Sequence, residues 1–129
     1  MDFMESRLLG IQIDEMGRHV VLSFVGASGA KFLLELIGVE RILVTEMRQQ
    51  NIMEAMTHWV RGSPSDGLRE AAFALMTGVD EKDCAPALLE VVQGVIDRVA
   101  RGELSMIETH AIFGAQILAT FSSMVTRPV

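Results

Sequence analysis

The chain of 129 residues contains one cysteine, Cys84. An intramolecular disulfide is therefore excluded, and with it any fold stapled by a disulfide framework. A reducing, cytoplasmic setting is the expectation that follows. Positive charge is also scarce. Eleven Lys and Arg stand against 17 Asp and Glu, for a net charge of −6. A surface of that sign repels a phosphate backbone over most of its area, so direct nucleic-acid binding is not expected and a basic partner is. The acidity is mild in residues 1–62, with six basic and eight acidic residues, and stronger in 63–129, with five and nine. The opening MDFMESRLLG places Asp2 and Glu5 early and has no long apolar run, so it does not read as a signal peptide. Residues 109–126 carry no formal charge, but His110, Gln116, Ser122 and Ser123 interrupt them. They fit a buried core helix better than a membrane span.

The usual signatures of catalysis are missing as well. His19, His58 and His110 are scattered, and no Cys/His set has the local spacing that zinc needs. The acidic run GVDEKDC (78–84) lacks the alternating oxygen ligands and terminal glutamate of a calcium loop. Asp80 and Asp83 read instead as helix-cap and first-turn residues, which the helix dipole favours. GASGAK (26–31) has neither the glycine spacing nor the following helix of a phosphate loop, and reads as a hairpin turn. Cys84 has no neighbouring histidine to activate it, and the carboxylates form no evident pair. No enzyme, metal or cofactor is expected.

What is present is apolar sequence with clear punctuation. Half of the residues are hydrophobic, enough for the core of one domain. Residues 8–13, 19–25, 31–37 and 40–47 read as strands, separated by the turn residues of DEMG (14–17), GASG (26–29) and Gly38. Four such strands predict an antiparallel meander with one face needing a cover. Residues 51–59 can extend it as a fifth strand or turn helical, and the apolar set Met53, Ala55, Thr57, Trp59 favours the strand. Residues 63–78 and 83–102 then read as helices, the second capped by Asp83, with Pro86 in its first turn and Gly102 at its end. SMIE (105–108) has the form of a capping box and predicts a third, nearly all-apolar helix to about Met124. The expected fold is α+β: a strand-rich 1–60 of four to five strands, covered by two to three helices from 63–126.

The run FLLELIGVERILVTEMRQQNIMEAM (32–56) leads from a strand through Gly-Val into a second strand, a polar elbow with Asn-Ile, and an apolar segment. It resembles small bacterial immunity proteins encoded beside polymorphic toxins, including those of contact-dependent growth inhibition. The resemblance implies an inhibitor that binds its cognate toxin domain, in these systems often a basic nuclease, and blocks it. Acidic residues would then steer association. The candidates are Asp14, Glu15, Glu35, Glu46 and Glu54 on strands or turns, and Asp80, Glu81 and Asp83 between helices. Trp59 is a candidate interface anchor or core residue, and Met47, Met53 and Met56 are candidates for core filling or an adaptable binding surface. The alternative is a regulatory module holding a small apolar molecule between sheet and helices.

Overall fold

A computed structural model describes residues 3–129; Asp2 lies outside them. The chain forms β1 (Arg7–Ile13), β2 (His19–Val25), β3 (Lys31–Ile37), β4 (Arg41–Thr45) and β5 (Ile52–Trp59), then α1 (Leu68–Thr77) and α2 (Pro86–Ala100), then β6 (Ser105–Phe113), β7 (Gln116–Phe121) and β8 (Ser123–Pro128). A single 3-10 turn, Glu81–Asp83, lies between the helices. The strands form one antiparallel sheet in the order β4-β7-β6-β5-β1-β2-β3-β8.

The two ends of that order are joined. β3 runs into β4 through residues 38–40, and β7 into β8 through Ser122 alone. β3 pairs with β8, Glu35 opposite Val125, while β4 pairs with β7, Leu43 opposite Leu118. Between these ladders the Glu40 amide donates to the Thr120 carbonyl at 3.0 Å, and the Ser122 amide donates to the Ile37 carbonyl at 2.9 Å. The sheet therefore closes into a barrel of six ribs, two of them long and bent. The bend needs Gly38: its φ is 70°, and a Cβ there would collide with the Ser122 side chain.

Closure gives the sheet an inside and an outside. Val20, Leu22 and Phe24 of β2, Leu34 and Leu36 of β3, and Ile107, Ile117 and Phe121 of the late strands fill the interior. Full burial of such a side chain stabilises by about 1.5–3 kcal/mol relative to exposure. Phe24 stacks on Phe32 at 5.1 Å between centroids, and Phe3 packs edge-on against it at the same distance. Outside the barrel, α1 and α2 cover part of the sheet. Trp59, Met106 and Leu118 from the strands meet Leu68, Ala71 and Leu75 of α1 and Val99 of α2. A third, small cluster of Ala72, Phe73 and Val92 lies between the helices, with Met76, Cys84 and Ile96 against it.

Three expectations are corrected. Among the described residues the sheet has eight strands, not four or five, and only β1 to β3 form a meander, because β4 leaves β3 to pair with β7. The two helices are an insertion between β5 and β6, not a C-terminal cover. The third helix does not exist: residues 105–128 are β6, β7 and β8. In β6, Met106 points under the helices and Ile107 into the barrel, and both are fully buried. Two dry faces remove the alternation that marks a strand, leaving an apolar run that resembles a buried helix. The fifth strand, by contrast, forms as read. Helix capping also differs. The N-cap of α2 is Ala85, without a side-chain bond, while Asp83 sits in the 3-10 turn and Asp80 precedes it. Pro86 does occupy the first turn. No helix of the described residues is long and apolar enough to cross a membrane.

Candidate functional site

The polar elbow of residues 46–51 is a structural corner built on Asn51. This side chain is 2% exposed. Its Oδ1 accepts the amides of Arg48 at 2.9 Å and Ala115 at 2.8 Å, and its Nδ2 donates to the Arg48 carbonyl at 2.8 Å. The elbow is thereby pinned to the β6–β7 turn, where Gly114, at φ 90°, leaves the room that Asn51 occupies. Outside, the Arg48 guanidinium lies over the Phe113 ring at 5.2 Å from its centroid. Met47, Gln49 and Gln50 complete the lining of a concavity of about 650 Å³. Of the three methionines singled out, Met53 is in the barrel core, Met56 packs partly against it and Met47 is exposed.

The histidines occupy separate surroundings. His58 faces the barrel interior, stacked on Phe121 at 5.8 Å between centroids. Among the described residues its Nε2 is buried without a hydrogen-bond partner, and burial holds its pKa below the ordinary value of 6.5. His19 lies on the outer face of β2, 3.7 Å from Glu35. His110, expected in the core of a helix, is half-exposed on β6. Its Nε2 meets Thr57 Oγ1 at 3.0 Å and Glu108 Oε1 at 3.5 Å. Both partners share one ring nitrogen, so the acid cannot orient the imidazole from Nδ1 as a nucleophile relay requires. Among the described residues, no group of three or more His, Cys, Asp or Glu is clustered to hold a metal. The GASGAK segment is the hairpin turn expected of it: the Gly26 amide donates to the Ala30 carbonyl at 2.8 Å.

The candidate interface residues divide sharply. Trp59 is buried, and its Nε1 donates to the Asp66 carbonyl at 3.1 Å, so it anchors helices to barrel and offers nothing to a partner. Asp14 is a turn residue. Its carboxylate accepts the Arg18 and His19 amides at 2.8 and 3.1 Å, the latter chiefly holding its pKa below the usual carboxylate value. Glu15 is exposed in the same turn. Glu35 is mostly shielded on the outer face of β3, bonded by Arg127. Glu46, at φ 59°, reaches Arg48 at 3.4 Å, and Glu54 is exposed on β5. These five do not form one surface.

Asp80, Glu81 and Asp83 do belong together, and α2 extends their field. Residues 79–97 hold five acids, adding Glu90 and Asp97, against Lys82 alone, a net −4 of the chain's −6. Three further cations of the insertion lie elsewhere: Arg98 bonds Glu40 on the barrel at 2.7 and 2.9 Å, Arg101 bonds Glu103 at 3.1 and 3.2 Å, and Arg61 packs against Gly102. Arg69 is engaged, donating to both Glu81 oxygens at 2.6 Å and to Gln93 Oε1 at 2.7 Å. That bidentate bond holds the Glu81 carboxyl below its usual range. Beside it, Arg69, Glu70, Phe73, Asp80, Glu81 and Lys82 line a concavity of about 610 Å³. In the same segment Val79, Leu88, Leu89 and Val91 are 42%, 41%, 38% and 50% exposed. The sequence marked the acids but not these aliphatics. Helical spacing cannot show that the first half of α2 projects beyond its cover. Comparison with protein-family models, characterised proteins and solved structures finds no match to the chain, so this surface stands on its own geometry.

Proposed function

We propose that the protein is an immunity protein: a non-enzymatic inhibitor that binds a basic bacterial toxin domain, a nuclease in the simplest case, through residues 79–97. The observation that carries this reading is the concentration of −4 of net charge around exposed Val79, Leu88, Leu89 and Val91. Charge without apolar area steers encounters but gives little residence time, and apolar area without charge gives little selectivity. This segment has both, on a helix end that packs against α1. An inhibitor built this way competes with nucleic acid for a cationic active-site groove without reproducing its chemistry. The alternative of a small apolar ligand between sheet and helices has less support, because that layer is filled by Trp59, Leu68, Leu75, Val99, Met106 and Leu118.

The test is co-expression with the product of the neighbouring gene, scored by rescue of growth and by a stoichiometric complex. The triple reversal Asp80→Lys, Glu81→Lys, Asp83→Lys should slow association at least about tenfold at low salt and flatten its salt dependence. Leu88→Asp with Val91→Asp should instead speed dissociation. Full rescue by both variants would refute this surface. No rescue by the unaltered chain would refute the inhibitor reading.

A further inference from the structure

The outer face of β1, β2, β3 and β8 lies away from the helices, and its charge pattern matches itself. One row crosses the four strands from Gln12 through Val21 and Glu35 to Val125. Flanking rows carry Ile37 beside His19, and Leu33 beside Arg127. Val125 and Ile37 are each 40% exposed, and Val21 and Leu33 are half-buried. In the middle sits Glu35, its side chain 13% exposed, bonded by Arg127 and approached by His19. The central charge is thus compensated within one chain, and covering this face strands no lone carboxylate. The ends of the face differ in sign. Arg7, Val25 and Lys31 form the row at one end, and Asp14, Glu15 and Arg18 occupy the turn at the other, two cations against a net single negative charge. Among the described residues β3 is the only strand partner of β8, whose other edge is free.

We propose that a second copy of the chain covers this face, related by a two-fold axis along the Val21–Glu35–Val125 row. Such an axis reverses the strand direction between copies. It sets Val125 against Val125 of the partner subunit, Ile37 against the partner's Leu33, and the Arg7–Lys31 end against the partner's Asp14 and Glu15. The apolar groups and the charged ends find complements in one isologous contact, while Glu35, which meets Glu35 of the partner subunit on the axis, is already bonded by Arg127 within its own chain. The acidic segment 79–97 could not do this, because two copies of it repel. This proposal is independent of the inhibitor reading, since it uses the opposite side of the barrel.

Sedimentation of the full chain from low micromolar to millimolar concentration tests it. The expected result is a reversible rise from one chain mass to two. Val125→Glu and Val125→Lys each place like charges face to face, and each should weaken dimerisation by at least about 100-fold. An equal mixture of the two should recover the dimer, which a mere folding defect would not allow. Leu88→Glu, on the helical insertion, should leave association unchanged. A single chain mass at every concentration overturns the proposal. So does a dimer indifferent to both Val125 variants, or a mixture that stays monomeric.

Discussion

The barrel and the helical insertion solve opposite problems with the same alphabet. The barrel draws core residues from all its ribs, and outside residues 79–97 the other 110 residues together carry only −2. The insertion centres on three fully buried residues between its helices, leaves aliphatic side chains in water at the start of α2, and concentrates negative charge there. The closed sheet turns most of its apolar area inward or under a helix, with Ile37 and Val125 left exposed on the face away from the helices, whereas the insertion leaves its exposed aliphatics beside its acids. On the proposed inhibitor reading, the barrel supports and the insertion presents the toxin-binding surface.

The largest test of that division is Trp59→Ala. Trp59 belongs to the barrel but fills the space under α1, so its loss should cost about 4 kcal/mol in urea unfolding. Both regions should weaken together, and hydrogen exchange should quicken in residues 68–100 and in β5 and β6. Phe73→Ala removes the centre of the inter-helix cluster. It should cost about 3 kcal/mol locally, with exchange quickening in α1 and α2 while β2 and β3 stay protected. Equal loss of protection in β2 would show that the two regions are one cooperative unit. Asn51→Ala acts on the barrel alone. It leaves the buried Ala115 amide without its acceptor and should cost about 2 kcal/mol, with no change in exchange of α2.

The smallest effect is a pH dependence. His58 has a lowered pKa when folded, so the unfolded chain takes up its proton first. The stability it contributes is complete above pH 6.5 and is lost as the pH falls through the folded-state value. His58→Phe should therefore flatten the stability profile between pH 7 and 5. An unchanged profile would mean that His58 is solvated when folded.

How much of this was legible depended on what each segment faces. β1 to β3 could be read because turn residues bound them and their outer faces keep polar side chains such as Gln12, His19 and Lys31. β6 and β7 could not, because Met106, Leu118 and Thr120 are covered outside while Ile107, Ile117 and Ala119 are covered inside. SMIE matched a capping box by coincidence. The density of β-branched residues, Ile107, Thr109, Ile112, Ile117 and Thr120, was the better signal. The acids at 80–83 were found, but their neighbours Leu88 and Val91 read as ordinary core positions, since burial is set by tertiary contacts. Trp59 went the other way, an apparent anchor that the fold encloses. The pairing of β4 with β7 had no local trace at all.

That pairing governs how the chain must be assembled. The seam joins residues 31–45 to residues 116–128, segments separated by about 70 positions or more along the chain. During synthesis, β1 to β3 can zip together as soon as they emerge, but β4 and the outer edge of β3 wait for the last strands. Throughout that interval the nascent chain carries two unpaired strand edges flanked by apolar residues, the condition under which β-rich chains associate wrongly. Loss of the final ribs would thus be felt as insolubility before it was felt as inactivity.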